Sequence, residues 1–529
     1  METVFKDKYG NPVYVTGLQA HNSSTGSHEL IEKCLSAVGQ YGGNTLEAPV
    51  YWFQIEKEEG DFDFSSVKDL IDQVRESGKY LVILWFGCNK NGHPNYLPEY
   101  MKLQPEKYTM AFGPDGAPVP SISVHCKDTL EKDILAFTKL VQYVKDYDEK
   151  ERTVLTIQIE NEFGYGGTDR DYSELGEIDY KKGVPEELYN LEIPNSYAKR
   201  TGKTWKDLFG RYANEVFSAW YHAKFVEALA KAGKEIYDIP FYCNIALGER
   251  GLDYPGLCYN AGAGVPRMID VWKIAAPHLD LLCPDIYLSD KATYTRVCGN
   301  YDREDNALFI PETSPSGTSF AMDIILAAGR YNAIGVCGFG AESTLDEEGK
   351  LLPNAREVAF SMRAISGLAP LLLKYRNSGH VYAFTQDEFT TEDTIMTERY
   401  CITAQYIKDN PKFHLCYSRV NSRSPEYKFL HEERGRGILI QTDDDEFYLA
   451  GSGIGLDFVR LPEPDDENCC AHLKSRMATQ LNFLSVEEGH FEGEKWVTEY
   501  IRNGDESNYQ LYAFCGQVVR IRINPNIGM

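Results

Sequence analysis

The run Gln158-Ile159-Glu160-Asn161-Glu162-Phe163-Gly164 closes a short apolar stretch on acidic residues. A second run, Phe309-Ile310-Pro311-Glu312-Thr313-Ser314-Pro315, ends on another. Acetal cleavage needs two carboxyl groups. One, with a raised pKa, protonates the leaving oxygen; the other attacks the anomeric carbon or activates water. A charged glutamate beside an oxocarbenium-like centre also stabilises it. A lone glutamate at the end of a strand is usually an ordinary loop carboxylate. Glu162 and Glu312 acquire this chemistry only if the fold brings them face to face.

The elements around them are legible as a pattern. Apolar runs that read as strands fall at residues 13–19, 44–50, 81–87, 154–160, 241–247, 279–287, 307–313 and 334–340. They are continuous, as strands buried on both faces require. Helical spacing lies between them. Val67, Leu70, Ile71 and Val74 share one face, with Ser65 or Ser66 placed to cap that helix and Gly78 to close it. Leu130, Ile134, Phe137, Val141 and Val144 share another, from about Thr129. Eight strands with helical crossovers predict an α/β fold, a (β/α)8 barrel. A doubly wound sheet would carry a GxGxxG loop after an early strand, and none is present.

Barrel enzymes place their reactive groups at the C-terminal ends of the strands. Glu162 follows the fourth strand and Glu312 ends the seventh, so the two are expected to face each other across the mouth. The connection over residues 161–240, with a helix near 214–232, is long enough to build a wall there. Other strand ends offer His21, Tyr51, Trp52, Trp85, Asn89, Asn244 and Glu342 as substrate-binding candidates. The two indoles could stack on a pyranose face. Glu160 is expected to point into the barrel or to support the site through a hydrogen bond, and not to act as the acid.

After about Arg376 the periodicity changes to alternation. Residues 437–442 and 446–451 flank the acidic turn Asp443-Asp444-Asp445 and read as a hairpin. Residues 496–501, 510–515 and 517–524 read as further strands, with Asn503-Gly504 a turn signal. The expected organisation is a catalytic barrel over 1–372 and an all-β, sandwich-like region over 373–529. Such a β-region also offers a surface for homo-oligomer assembly.

The net charge of −25 speaks against a nucleic-acid partner or an anionic membrane surface. The thirteen Cys form no CxxC pair, and Cys469 and Cys470 are adjacent. An odd count without a framework reads as reduced thiols. Cys88, Cys243, Cys258, Cys283 and Cys337 are expected to be buried small hydrophobes. With no apolar signal stretch at the start, the expected location is the cytoplasm. No HExxH, Cys/His cluster or phosphate loop is present, so neither a metal nor a cofactor is expected. A Schiff-base or metal-dependent lyase would need a lysine at a strand end or a metal cluster, and neither is read here.

Several stretches together resemble retaining β-glycosidases of the barrel clan, above all the family-35 β-galactosidases, with features of family 42. They are HNSS at 21–24, APVYW at 48–52, LWFGCNKNG at 84–92, QIENEFG at 158–164, PDIY at 284–287 and PETSP at 311–315. GILIQTDDDEFYLAG and LSVEEGHFEGEKW in the tail resemble the C-terminal region of a bacterial branch of family 35. The resemblance implies a retaining exo-β-glycosidase acting on an oligosaccharide or glycoside. It makes Glu162 the acid/base, Glu312 the nucleophile, Asn161 the partner of the sugar 2-hydroxyl and Tyr287 a donor to Glu312. One departure stands out. Many family-35 members carry Cys-Ala-Glu-Trp after the third strand, where the Glu binds galactose. Here the stretch is Gly87-Cys88-Asn89-Lys90-Asn91-Gly92. A gluco, manno, xylo or fuco preference is therefore an alternative, as is a non-catalytic carbohydrate-binding protein on the same scaffold.

Overall fold

The computed structural model describes residues 5–248, 254–408, 433–461, 481–508 and 511–526. Eight parallel strands close into a barrel: β1 Val15–Gln19, β2 Thr45–Tyr51, β3 Tyr80–Lys90, β4 Val154–Asn161, β5 Phe241–Ala246, β6 Leu281–Ile286, β7 Phe309–Thr313 and β8 Gly335–Phe339. Each pairs with its neighbours in sequence, and β1 pairs with β8. A helix returns the chain after every strand. The longest are Lys127–Asp148, Ala213–Ile236 and Arg356–Tyr375. The barrel expected from the apolar runs is therefore present.

Period-two alternation decides what lies inside. Val15, Val82, Leu84, Phe86, Leu155, Tyr242, Leu281, Cys283, Phe309 and Cys337 form the packed interior. Their odd or even partners face the helices instead. Leu81, Ile83 and Trp85 belong to that outer core, with Val67, Leu70, Ile71 and Val74 from the helix Ser65–Glu76. Neither Ser65 nor Ser66 caps that helix. Asp63 Oδ1 accepts the Ser65 N–H at 2.9 Å, and the serines lie inside the first turn. Gly78 closes it at φ +68, a conformation that costs glycine little.

The C-terminal strands form two antiparallel sheets. One runs in the order Val381–Thr385, Arg436–Asp443, Glu446–Ser452, Val518–Ile523, Phe483–Glu492, Lys495–Ile501. The other runs Glu392–Met396, Tyr400–Tyr406, Ile454–Arg460, Leu511–Ala513. The expected hairpin forms around Asp444 and Asp445. Asn503-Gly504 leads into a single helical turn, Asp505–Asn508, and not a tight hairpin. Apolar side chains of both sheets, including Phe384, Tyr400, Leu439, Phe447, Leu456 and Ile521, share one core.

The six-stranded sheet packs on the barrel helices Thr318–Arg330 and Arg356–Tyr375. A Cβ at Gly329 would meet the Cβ of Ala383 at 2.9 Å, so only glycine allows that approach. Arg436 is fully buried at the same seam. Its Nε donates to Ser361 Oγ at 2.7 Å, its Nη2 to the Glu357 carbonyl at 2.7 Å, and it pairs with Glu433 at 3.5 Å. A buried charge of this kind persists only when paired and hydrogen-bonded.

Two expectations about thiols and membranes meet the structure here. Cys88, Cys243, Cys283 and Cys337 are buried, but Cys258 is exposed, because it lies on a loop at the barrel mouth and not in a strand. Cys469 and Cys470 fall outside the described residues. No described helix is long and apolar enough to cross a membrane.

One buried acid makes a stability prediction. Asp323 lies on the helix Thr318–Arg330, and its Oδ2 has no hydrogen-bond partner. Burial pushes its carboxyl up to about 7, against a smaller opposing pull from Lys291. A carboxyl raised in the folded state makes folding less favourable as pH climbs from the unfolded value of about 4 toward 7. Asp323→Asn is expected to stabilise the protein at pH 8 by about 1–3 kcal/mol, and the gain should vanish near pH 4. Melting temperatures across that range check it; a wild type that is the more stable at pH 8 contradicts it.

Candidate active site

Inward parity carries polar groups to the C-terminal rim of an otherwise apolar interior. Gln19 on β1, Glu47 on β2, Asn244 on β5 and Asp285 on β6 continue the inward series of their strands. On β7 the register shifts between Ile310 and Thr313, and this irregularity turns Glu312 to the site beside Asp285. All five are buried.

The end of β4 is bent to deliver Glu162. Glu160 and Glu162 both take left-handed backbone angles, φ +58 and +45. Non-glycine residues hold such angles at a cost of about 1–3 kcal/mol each, so the surroundings must over-determine them. They do. Asn244 Oδ1 accepts the Glu162 N–H at 2.9 Å, and Asn260 Nδ2 donates to the Glu162 carbonyl at 2.6 Å. The Asn91 N–H donates to the Asn161 carbonyl at 3.0 Å. Glu160 points away from the mouth, where its carboxyl accepts the N–H groups of Cys88 at 3.1 Å and Asn89 at 2.8 Å. Asp133 stands against it, and burial drives both carboxyls up. A Cβ at Gly87 would fall 2.5 Å from Glu160 Oε1, which explains glycine there. Of the two expected placements, the carboxyl of Glu160 takes the hydrogen-bonded one, on the backbone after Gly87.

Carboxyl oxygens of Glu162, Asp285 and Glu312 lie within 4.8 Å of one another. Their hydrogen bonds divide them. Glu312 accepts from Gln19 Nε2 at 3.0 Å, Asn244 Nδ2 at 3.2 Å and Tyr287 OH at 2.8 Å. Three donors suit an ionised carboxylate. Burial, and then Glu312, push Glu162 up to about 7, while Lys90 pulls it the other way. One carboxyl is therefore supplied with three donors, and the other is set to hold a proton. That division of labour is what acid-assisted nucleophilic displacement requires.

Lys90 is the site's cation. Its Nζ donates to Asn161 Oδ1 at 2.6 Å and sits 4.4 Å from the centre of the Phe86 ring. That contact leaves Asn161 Nδ2 buried without a partner. Burial lowers the Lys90 pKa against the attraction of Glu312, Glu162 and Asp285. β3 runs on to Lys90, beyond the end at Gly87 read from the sequence, so a lysine does stand at a strand end.

The remaining expected residues separate into two groups. Asn161, Tyr287 and Asn244 join the carboxyl pair; the Tyr287 ring is half-exposed while its hydroxyl rests on Glu312. The others bond elsewhere. Asn89 is buried, its amide donating to the Gly164 carbonyl at 3.3 Å. Tyr51 packs against Phe53 and Tyr96, its hydroxyl 2.8 Å from Thr25 Oγ1. His21 Nε2 meets Ser343 Oγ at 2.7 Å. Glu342 accepts from Ser24 Oγ and from the His21 N–H, fastening β8 to the chain after β1. Neither indole presents a face to the mouth. Trp85 and Trp52 are fully buried 6.0 Å apart, their N–H groups on Asp133 and Glu56. Trp85 follows Leu84 and precedes Phe86, both inward, so parity turns it outward.

Gln19, Lys90, Asn260 and Asp285 were not singled out from the sequence. Inward parity marks Gln19 and Asp285 in retrospect, since each is a polar residue at the last inward step of an apolar strand. Nothing in the sequence pattern marks Asn260.

This architecture has counterparts among known proteins. Residues 360–513 match a family model described as a domain of unknown function, DUF5597. No curated protein matches by sequence. Among solved structures, the catalytic domain of β-amylase from Paenibacillus polymyxa superposes with a TM-score of 0.50 at 13% identity, over 65% of this chain and 96% of that one. A β-galactosidase from Halorubrum lacusprofundi gives 0.50 at 15% identity, over 67% and 58%. One from Rahnella sp. R3 gives 0.50 at 16%, over 70% and 58%. The chain thus spans little more than half the length of the β-galactosidases it matches. At these identities the likeness establishes the barrel fold.

Proposed function

We propose that this protein is a retaining exo-β-glycosidase, with a β-galactoside as its best substrate. The observation that carries the reading is the asymmetric carboxyl pair. Glu312 is held by three donors as a carboxylate, and Glu162 is held by burial as an acid. Their oxygens lie within 4.8 Å. Retaining pairs stand about 5–5.5 Å apart and inverting pairs about 6.5–9.5 Å, which leaves room for a water. β-Galactosidases among the proteins that share the fold support a sugar acetal as substrate.

Glu312 attacks the anomeric carbon as Glu162 passes its proton to the leaving oxygen, giving a covalent glycosyl-enzyme. Glu162, now a carboxylate, takes a proton from water, which displaces Glu312 and restores both groups. Asn161 Nδ2, fixed by Lys90, is free to donate to the sugar 2-hydroxyl, a contact that strengthens in the transition state. Both retained carboxyl groups argue against a purely binding role. The buried thiols support a reducing, cytoplasmic setting.

The sugar itself is the finer question. Lys90 falls in the stretch where the resembled galactosidases carry a galactose-binding glutamate. That observation favours, as a second reading, a different sugar. A panel of aryl β-glycosides differing one hydroxyl at a time decides between them. The expected result is the highest kcat/KM on the galactoside; a clear preference for the gluco, manno, xylo or fuco analogue overturns it.

A further inference from the structure

A two-glutamate mechanism leaves the third carboxyl of the cluster without a task. Asp285 is buried on β6, in register with Glu312. Its Oδ2 accepts from Asn244 Nδ2 at 2.7 Å, while its Oδ1 is buried with no donor of its own. Glu312 next to it accepts three. Of two adjacent carboxyls, the better supplied with donors carries the charge and the poorer one carries the proton.

We propose that Asp285 is a positioning residue that works as a neutral carboxylic acid, its O–H turned to Glu162 and its other oxygen to Asn244. This rests on Glu162 being the acid/base. The O–H would hold the protonated Glu162 in line with the leaving oxygen. After Glu162 has given up its proton, the same O–H would donate to the carboxylate and keep it aimed at water. No proton leaves Asp285 in either step. Asn244 completes the arrangement, since it also accepts the Glu162 N–H and donates to Glu312.

The charged and titratable surroundings fit a neutral group. Glu162 approaches from just after β4, Glu312 from β7, Glu47 from β2, the Tyr242 phenol from β5, the Cys283 thiol from β6 and the Tyr287 phenol from just after β6. Lys90 on β3 is the one cation facing them among the described residues. Burial and the carboxylates hold Asp285 well above the usual range. A single lysine then balances a single carboxylate, Glu312. Charging Asp285 as well would place two adjacent anions in a dry site.

The test contrasts two variants. An amide reproduces a neutral acid, with one N–H donor for Glu162 and one oxygen for Asn244. Asp285→Asn is expected to keep kcat on aryl β-galactosides within about fivefold of wild type. Asp285→Ala should lose about 100-fold at an unchanged melting temperature. The alkaline limb of the pH profile should stay within about half a pH unit in Asp285→Asn, because no charge was removed. Were Asp285 an anion, its removal would lower the Glu162 pKa and move that limb to lower pH. An Asn variant as inactive as Ala, an Ala variant as active as wild type, or a displaced limb each overturns the proposal. An infrared difference spectrum of wild type minus Asp285→Asn at pH 7 is independent of turnover. It should show a protonated carboxyl band; a carboxylate doublet in its place overturns the proposal even if no glycoside proves to be a substrate.

Discussion

Glu312→Gln is expected to abolish turnover of every glycoside, by about 10⁴-fold or more in kcat. The amide is nearly isosteric, and its oxygen can still accept from Gln19 and Asn244. Folding should survive the change. What is lost is the electron pair that bonds to the anomeric carbon and the negative charge that stabilises the developing cation. No other carboxylate is poised to replace it, because Glu162 and Asp285 are both pushed up by burial. The loss should not depend on the leaving group. Steady-state kinetics with dinitrophenyl and phenyl glycosides check this. Activity within tenfold of wild type on either would remove Glu312 from the chemistry.

Glu162→Gln should fail selectively. Dinitrophenolate leaves without a proton, so the first step should survive with that substrate. A phenyl glycoside needs the acid and should lose about 10²–10⁴-fold. The second step then lacks its base and stalls. Azide, a nucleophile that needs no base, should restore turnover and yield the β-glycosyl azide. If Glu312→Gln were instead the variant rescued to a β-azide, the two roles would be exchanged. The pH profile follows from the same group. Glu162 must be protonated to act in the first step, and burial holds it at about 7. Wild-type kcat/KM on poor leaving groups should therefore decline as pH rises through about 7. Glu162→Gln should lack that limb.

The barrel was legible because buried parallel strands are continuous apolar runs, and all eight stand out in the sequence. Strand ends were harder. β3 reaches Lys90 through Gly87, Asn89 and other residues that do not prolong an apolar run, so the pattern stops early. The candidate pair was suggested by strand order, since the ends of strands four and seven both open on the mouth of an eight-stranded barrel. The wall residues needed parity as well as position. Tryptophan at a rim suggests stacking, yet one step along a strand separates the mouth from the helical layer. Trp85 falls on the outer side of that step and Asp285 on the inner. The bend at Glu160 and Glu162 could not be foreseen, because left-handed glutamates arise from tertiary support by Asn244 and Asn260. In the β-region, alternation marked the sheets but not their order, which is set by pairings between strands far apart in the chain, such as Val381–Thr385 with Arg436–Asp443.

The central claim, that Glu162 and Glu312 act as a retaining pair with Glu312 as nucleophile, is tested most directly by trapping the intermediate. The probe is the 2,4-dinitrophenyl 2-deoxy-2-fluoro β-glycoside of the sugar preferred in the aryl panel. Fluorine slows both steps, while the good leaving group lets the first proceed, so the glycosyl-enzyme should accumulate. The predicted result is a single adduct by intact mass, mapped by peptide fragmentation to Glu312. An adduct on Glu162 or Asp285, or no adduct from an enzyme that releases its sugar with inverted anomeric configuration, would contradict it.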